Sequence, residues 1–350
     1  MILNAYALLD AFVTLLRSFL ALLVIGQAAL ALVHVGPGAS PDRKKLVEDR
    51  YYLLFLLAIL LLGLNVVSWP LFYLLLQSYV SEWPVMCIYG VTQVGTGSIS
   101  SSRFLPGLVK TLEATKPALV FLSGAWFVLY FINRQTQTGP LMRRVLIVLI
   151  VLGGLALADS AVEMTYLVIP KKEEFLSVGC CTVPFDAETR ASRFVPEALL
   201  GERYHTGLYI AFYSLTGGLT LALGLFSRRV GGVGLGALAA VALMSLVVGG
   251  VFLIETAAPR LLRLASHHCP YCLLPKAPES TVAIGLFLLG TFAVGWAGTA
   301  RWFASCAETN TLVANTVRGA LRLAFFAYFG SIVMISLELA LAGAWGNRVG

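Results

Sequence analysis

Eight apolar runs, each near the length a helix needs to cross a bilayer, constrain this chain more than anything else in it. A spanning helix takes about 20 mostly apolar residues. Such runs lie at approximately 5–33, 51–78, 117–133, 145–168, 206–226, 230–258, 281–300 and 323–345. The third is short and is expected to extend at one end. Composition agrees: of 350 residues, 58% are hydrophobic and 12% charged, against about 25% charged in soluble domains. No soluble core hides that much apolar surface. The expected fold is therefore all-α, a single polytopic membrane bundle over 1–350 with about eight transmembrane helices and the lipid bilayer as its solvent.

The formal charge of +7 would hint at nucleic acid in a soluble protein. No basic stripe interleaved with aromatics accompanies it, so nucleic acid is not an expected partner. The basic residues instead orient helices and touch anionic lipid. The connections Pro37–Arg50, Arg134–Arg144, Ser227–Arg229 and Arg301–Arg322 are short and basic; the turn between the fifth and sixth runs is little more than Ser227-Arg228-Arg229. Positive-inside reasoning places them in the cytoplasm. Both termini then lie outside, and the expected location is a bacterial or archaeal plasma membrane. A signal peptide at 18–36 is the rival reading of the N-terminal run, but Asp10 and the apolar start make a poor n-region. Segment 301–322 is expected to form a helix on the membrane surface.

The opposite face carries longer loops at about 79–116, 169–205 and 259–280, an exoplasmic cap in which function is expected to concentrate. Five of the six cysteines fall there. Cys87 is in the first loop, Cys180 and Cys181 are adjacent in the second, and Cys269 and Cys272 form Cys-Pro-Tyr-Cys in the third. Cys306 lies on the other side. An exoplasmic compartment is where disulfides persist.

A Cys-x-x-Cys pair suits dithiol–disulfide chemistry, because attack by one thiolate is resolved by the other. Cys269 and Cys272 are therefore the candidate redox pair, with Cys87, Cys180 or Cys181 as shuttle or disulfide partners. The segment His268-Cys269-Pro270-Tyr271-Cys272-Leu273-Leu274 locally resembles the vitamin K epoxide reductase family. The resemblance implies a Cys-x-x-Cys at the exoplasmic end of a membrane helix, relaying electrons through loop cysteines to a quinone. Here Pro275 and Pro278 separate the pair from the seventh helix, whereas that family embeds it.

Two other readings stay open. His267, His268, Cys269 and Cys272 offer imidazole and sulfur at metal-ligand spacing, for zinc or copper, with Cys87 and one of Cys180 or Cys181 available to complete four ligands from different loops. Alternatively, two disulfides staple the loops and leave one cysteine over.

Five carboxylates lie inside the expected spans: Asp10, Asp159, Glu163, Glu255 and Glu338. All fall toward the cysteine-loop ends. Charges there are costly and mark functional or paired sites. Asp159 and Glu163 are four apart and share a face, so they are the candidates for cation binding or proton relay. Asp10 and Glu255 are expected at the water interface. Asp10 and Arg17, seven apart, share a face that should point into the bundle.

Gly232-x-x-x-Gly236 fits close helix approach, and Pro70 is expected to bend the second helix. There is no internal repeat. No haem is expected, since His34, His205, His267 and His268 lie in loops or at helix ends and no Cys-x-x-Cys-His occurs. No nucleotide is expected either: Gly95-Thr96-Gly97 lacks the fingerprint spacing, and no Walker motif is present. Two function classes follow. One is an exoplasmic thiol–disulfide or electron-transfer protein. The other is a non-enzymatic subunit of a transporter or larger membrane complex, with other membrane or exoplasmic subunits as partners.

Overall fold

The computed structural model describes residues 4–34, 41–83, 85, 87–96, 101–170, 203–226, 231–264 and 267–349. The described residues contain no β-strand, and eight helices among them are long and apolar enough to cross a membrane. The chain divides into two compact units, Met1–Val178 with Phe303–Leu312 and Gly179–Trp302 with Val313–Gly350.

The first unit is built from α1 (Ala5–His34), α2 (Pro41–Tyr79), the short α3 (Ile88–Thr92), α4 (Leu105–Arg134) and α5 (Met142–Val168). Asn4 starts α1 by accepting a hydrogen bond from the Ala7 amide at 2.8 Å, the usual way an orphan N-terminal donor is satisfied. Helix α1 packs against α2 and α5, and α4 packs against both as well. A Cβ on Gly153 would stand 2.7 Å from Ile25, so its absence lets α5 approach α1. The indole of Trp126 donates to the Val145 carbonyl at 3.1 Å and stacks on Tyr130, fixing α4 beside α5. At the α4–α5 turn, Gly139 has φ +61 and the Asn133 side chain accepts from the Leu141 amide at 2.9 Å. Glu308 closes the same turn by accepting from the amides of Gln137 and Thr138 at 2.8 and 3.2 Å, and from the Thr138 hydroxyl.

The second unit holds α6 (Tyr204–Phe226) and α7 (Gly232–Phe252), which passes into a π-helical turn (Leu253–Ala257) and then α8 (Ala258–Leu262). A 3₁₀ turn (Pro270–Cys272) and α9 (Leu273–Lys276) lead to α10 (Pro278–Phe303), and α11 (Asn310–Val349) closes the chain. Gly290 of α10 receives the ring of Tyr328 from α11, whose hydroxyl pairs with Thr291 at 2.8 Å. Ser331 donates to the Ala283 carbonyl at 2.8 Å beside it. Phe212 and Phe252 stack with centroids 4.3 Å apart and join α6 to α7.

The helices depart from the sequence expectations in identifiable ways. The third span extends at its N-terminal end, as expected, and begins at Leu105, so the loop expected over 79–116 is much shorter. Lys110, Glu113, Lys116 and Pro117 lower the apolarity of that stretch, yet Lys116 is buried because its charge is paired. The loop expected over 259–280 is largely taken up by α8, the 3₁₀ turn, α9 and the start of α10. Segment 301–322 is not a separate surface helix, since α11 runs from Asn310 straight into the last span. A Cβ at Gly236 would meet nothing within 4 Å among the described residues, and the close glycine approaches between helices include Gly153, Gly224, Gly249, Gly290 and Gly330 instead.

Candidate functional site

Inside the first unit, four helices bring two cations and two carboxylates together. Arg17 of α1 donates from Nη2 to Asp159 at 2.5 Å and to Glu163 at 2.8 Å, both on α5. Its remaining nitrogens reach Ser160 at 2.9 Å and Ser68 of α2 at 2.6 Å. Lys116 of α4 lies 2.7 Å from Glu163 Oε1 and 3.4 Å from Asp159 Oδ2, and also donates to Ser68 at 2.7 Å. Thr14 donates to Glu163 at 3.1 Å, and Thr115 donates to Asp159. The Phe72 ring lies 5.2 Å from the Lys116 amine.

Arg17, Asp159 and Glu163 are 0% exposed and Lys116 1%. Charges so placed persist only when paired and hydrogen-bonded. The i, i+4 spacing of Asp159 and Glu163 stacks both on the face of α5 turned to α1 and α4. One guanidinium spans the two carboxylates because its planar fork presents several donors. The two positive and two negative charges cancel. As the shared face predicted, Arg17 points into the bundle, but its partners are the α5 acids and not Asp10.

Asp10 corrects the interfacial expectation. It is 1% exposed, and neither carboxylate oxygen accepts a hydrogen bond among the described residues. The charges that act on it belong to Glu163, Lys116, Arg17 and Asp159.

In the second unit, the sulfurs of Cys269 and Cys272 lie within 4.8 Å of each other. His267 places Nε2 3.3 Å from Cys272 Sγ. A tight fold of the backbone makes this local: Arg263 is left-handed at φ 57, and the Cys272 amide donates to the Cys269 carbonyl at 3.3 Å. Cys269 is 0% exposed and Cys272 6%. His268 turns elsewhere, with Nδ1 3.1 Å from the Ile254 carbonyl and 3.8 Å from the Glu255 carboxylate. Glu255 is therefore buried against a histidine and not at the water interface. It sits in the π-helical turn, a distortion often found where a helix presents a functional side chain.

Cys87 is buried in the first unit, at the N-terminal boundary of α3. Cys180 and Cys181 lie outside the described residues. Glu338 is half-buried on α11, with no hydrogen bond to its carboxylate among the described residues. Sequence reasoning missed Lys116, Ser68 and Thr115. A signal was present for Lys116: two α5 carboxylates require two cations, and Arg17 supplies one.

These features define the class. The chain is an all-α polytopic integral membrane protein that has, among the described residues, eight helices able to span, a buried ion-pair quartet and a cysteine–histidine cluster. No family model, curated protein or solved structure matches it.

Proposed function

We propose that the protein carries out thiol–disulfide exchange at the exoplasmic membrane surface, with Cys272 as the attacking thiol and Cys269 as the resolving one. The observation that carries this reading is the 3.3 Å approach of His267 Nε2 to Cys272 Sγ. An imidazole at that distance can take the thiol proton and leave the nucleophilic thiolate. The thiolate attacks a substrate disulfide and forms a mixed disulfide. The displaced substrate sulfur leaves as a thiolate and is protonated. Cys269 then attacks Cys272, the Cys269–Cys272 disulfide closes, and the second substrate sulfur is released. Two electrons pass from the pair to the substrate disulfide. Closing the bond shortens the sulfur separation to about 2.05 Å, a small movement for side chains already adjacent. Burial of both sulfurs favours a small disulfide over a folded protein as the substrate. On sequence grounds, the loop cysteines Cys87, Cys180 and Cys181 are the proposed thiol donors: two of them oxidise to a disulfide as they return the Cys269–Cys272 pair to the dithiol.

Burial also favours a second reading, in which His267, Cys269 and Cys272 ligate zinc or copper. Buried thiolates with an imidazole neighbour suit such ions. His268 engages its Nδ1 with Ile254 and Glu255, which leaves Nε2 as the atom through which it would join them.

The experiment is single-turnover reduction of a small aromatic disulfide by the reduced full-length protein in detergent, with metal content measured on the same sample. Cys272→Ser should abolish reduction. Cys269→Ser should trap the mixed disulfide, and His267→Ala should slow attack at neutral pH but not at alkaline pH. Stoichiometric metal lost with His267→Ala, in protein without exchange activity, would establish the second reading instead.

A further inference from the structure

The quartet of Arg17, Lys116, Asp159 and Glu163 is neutral, and each of its members is hydrogen-bonded or ion-paired at 2.5–3.4 Å. Asp10 is a fifth ionisable group on the same assembly. It is 1% exposed and neither oxygen accepts a hydrogen bond among the described residues. The groups that face it are Arg17 on its own helix, Asp159, Glu163 and Tyr166 on α5, Lys116 on α4 and Tyr79 on α2. Both cations are already taken by the α5 carboxylates. An ionised Asp10 would add an uncompensated charge in a low-dielectric site, which burial strongly disfavours.

We propose that Asp10 is a proton-binding site, held as the neutral carboxylic acid beside the balanced quartet. Three carboxyls and two cations then share one proton and carry no net charge. Moving that proton from Asp10 to Glu163 breaks one O–H bond and makes another. Lys116 is thereby released from Glu163 to pair with the new Asp10 carboxylate, and the net charge of the assembly does not change. Asp10 and Glu163 each lie five residues from a helix end on the same side of the first unit, Ala5 and Val168 respectively. That is about 7.5 Å of helix at 1.5 Å per residue, short enough for exchange with water on that side. The site is a proton store with an exit, the arrangement a proton-coupled membrane protein requires.

The test is infrared difference spectroscopy of the full-length protein in lipid, across neutral pH, with Asp10→Asn, Asp10→Glu and Glu338→Gln as variants. A protonated carboxyl band that shifts on deuteration should be present in the parent at neutral pH. It should be lost in Asp10→Asn, displaced but retained in Asp10→Glu, and unmoved in Glu338→Gln. If Asp10→Asn does not fold, the displacement in Asp10→Glu decides the assignment. Absence of the band at neutral pH, or a band that disappears only with Glu338→Gln, overturns the proposal. Loss of the band on adding sodium at constant pH also overturns it, and makes Asp10 a metal-cation ligand.

Discussion

Replacing Arg17 by methionine tests whether the buried charges act as one balanced unit. The change keeps an unbranched side chain but removes the hydrogen bonds to Ser160 at 2.9 Å, Ser68 at 2.6 Å, Asp159 at 2.5 Å and Glu163 at 2.8 Å. The two hydroxyl contacts are minor, because interhelical hydrogen bonds in membranes average about 0.6 kcal/mol and reach about 1.7. The charge imbalance dominates. Lys116 alone faces two carboxylates, and stripping one partner from a buried ion pair costs about 3–5 kcal/mol. Arg17→Met should therefore destabilise the protein by about 3–5 kcal/mol, several times the effect of Ser160→Ala. Adding Glu163→Gln restores neutrality, leaving Lys116 to serve Asp159. The double variant should then cost less than the sum of the single changes by about 2 kcal/mol, within the usual range for residues in one network. Reversible unfolding in mixed micelles, run as a double-mutant cycle, measures this. Additive costs, or an Arg17→Met cost no larger than that of Ser160→Ala, would refute the balanced-quartet argument.

Other consequences are local. A Cβ at Gly290 would stand 2.8 Å from the Tyr328 ring, so Gly290→Ala should destabilise by about 1–3 kcal/mol through overpacking in the same unfolding assay. Gly236→Ala, in open space, should be close to neutral. The Thr309 hydroxyl lies 3.1 Å from the Cys306 sulfur, and that hydrogen bond lowers the thiol below its ordinary range. Maleimide labelling of Cys306 near neutral pH should therefore slow when Thr309 is changed to valine. Hydrogen bonds from Thr138 and Gln137 likewise hold the Glu308 carboxyl below its usual range. A depressed carboxyl stabilises the turn above its unfolded value and loses that contribution as pH falls through the folded value. Hydrogen exchange at the Gln137 and Thr138 amides should accelerate in that acidic window and stay slow above it.

The spans were legible because an apolar run of bilayer length has few other solutions in water. How far the third span extends was hidden for the same physical reason as the missed quartet member. Lys116 reads as a loop residue on hydropathy alone, since the cost of burying an ammonium is visible locally and its compensation by Asp159 and Glu163 is not. Those acids are 43 and 47 residues away. Asp10 was misread for the opposite reason. Its nearness to a helix end implied a solvated carboxylate, while the packing of α2 and α5 against α1 buries it. The Cys-x-x-Cys spacing located the cysteine pair directly. Which of the two adjacent histidines meets Cys272 is set by the local fold, and no sequence spacing marks it.

The central functional claim rests on the state of two sulfurs, and a redox titration of the Cys269–Cys272 pair addresses it most directly. Protein isolated in lipid is equilibrated in dithiol buffers of graded potential, then alkylated and analysed by mass spectrometry. The account predicts one reversible two-electron transition between about −120 and −270 mV, the range of thiol–disulfide oxidoreductases, with both cysteines changing together. A pair whose alkylation is the same at every potential, whether permanently oxidised or held by a stoichiometric metal ion, would contradict it.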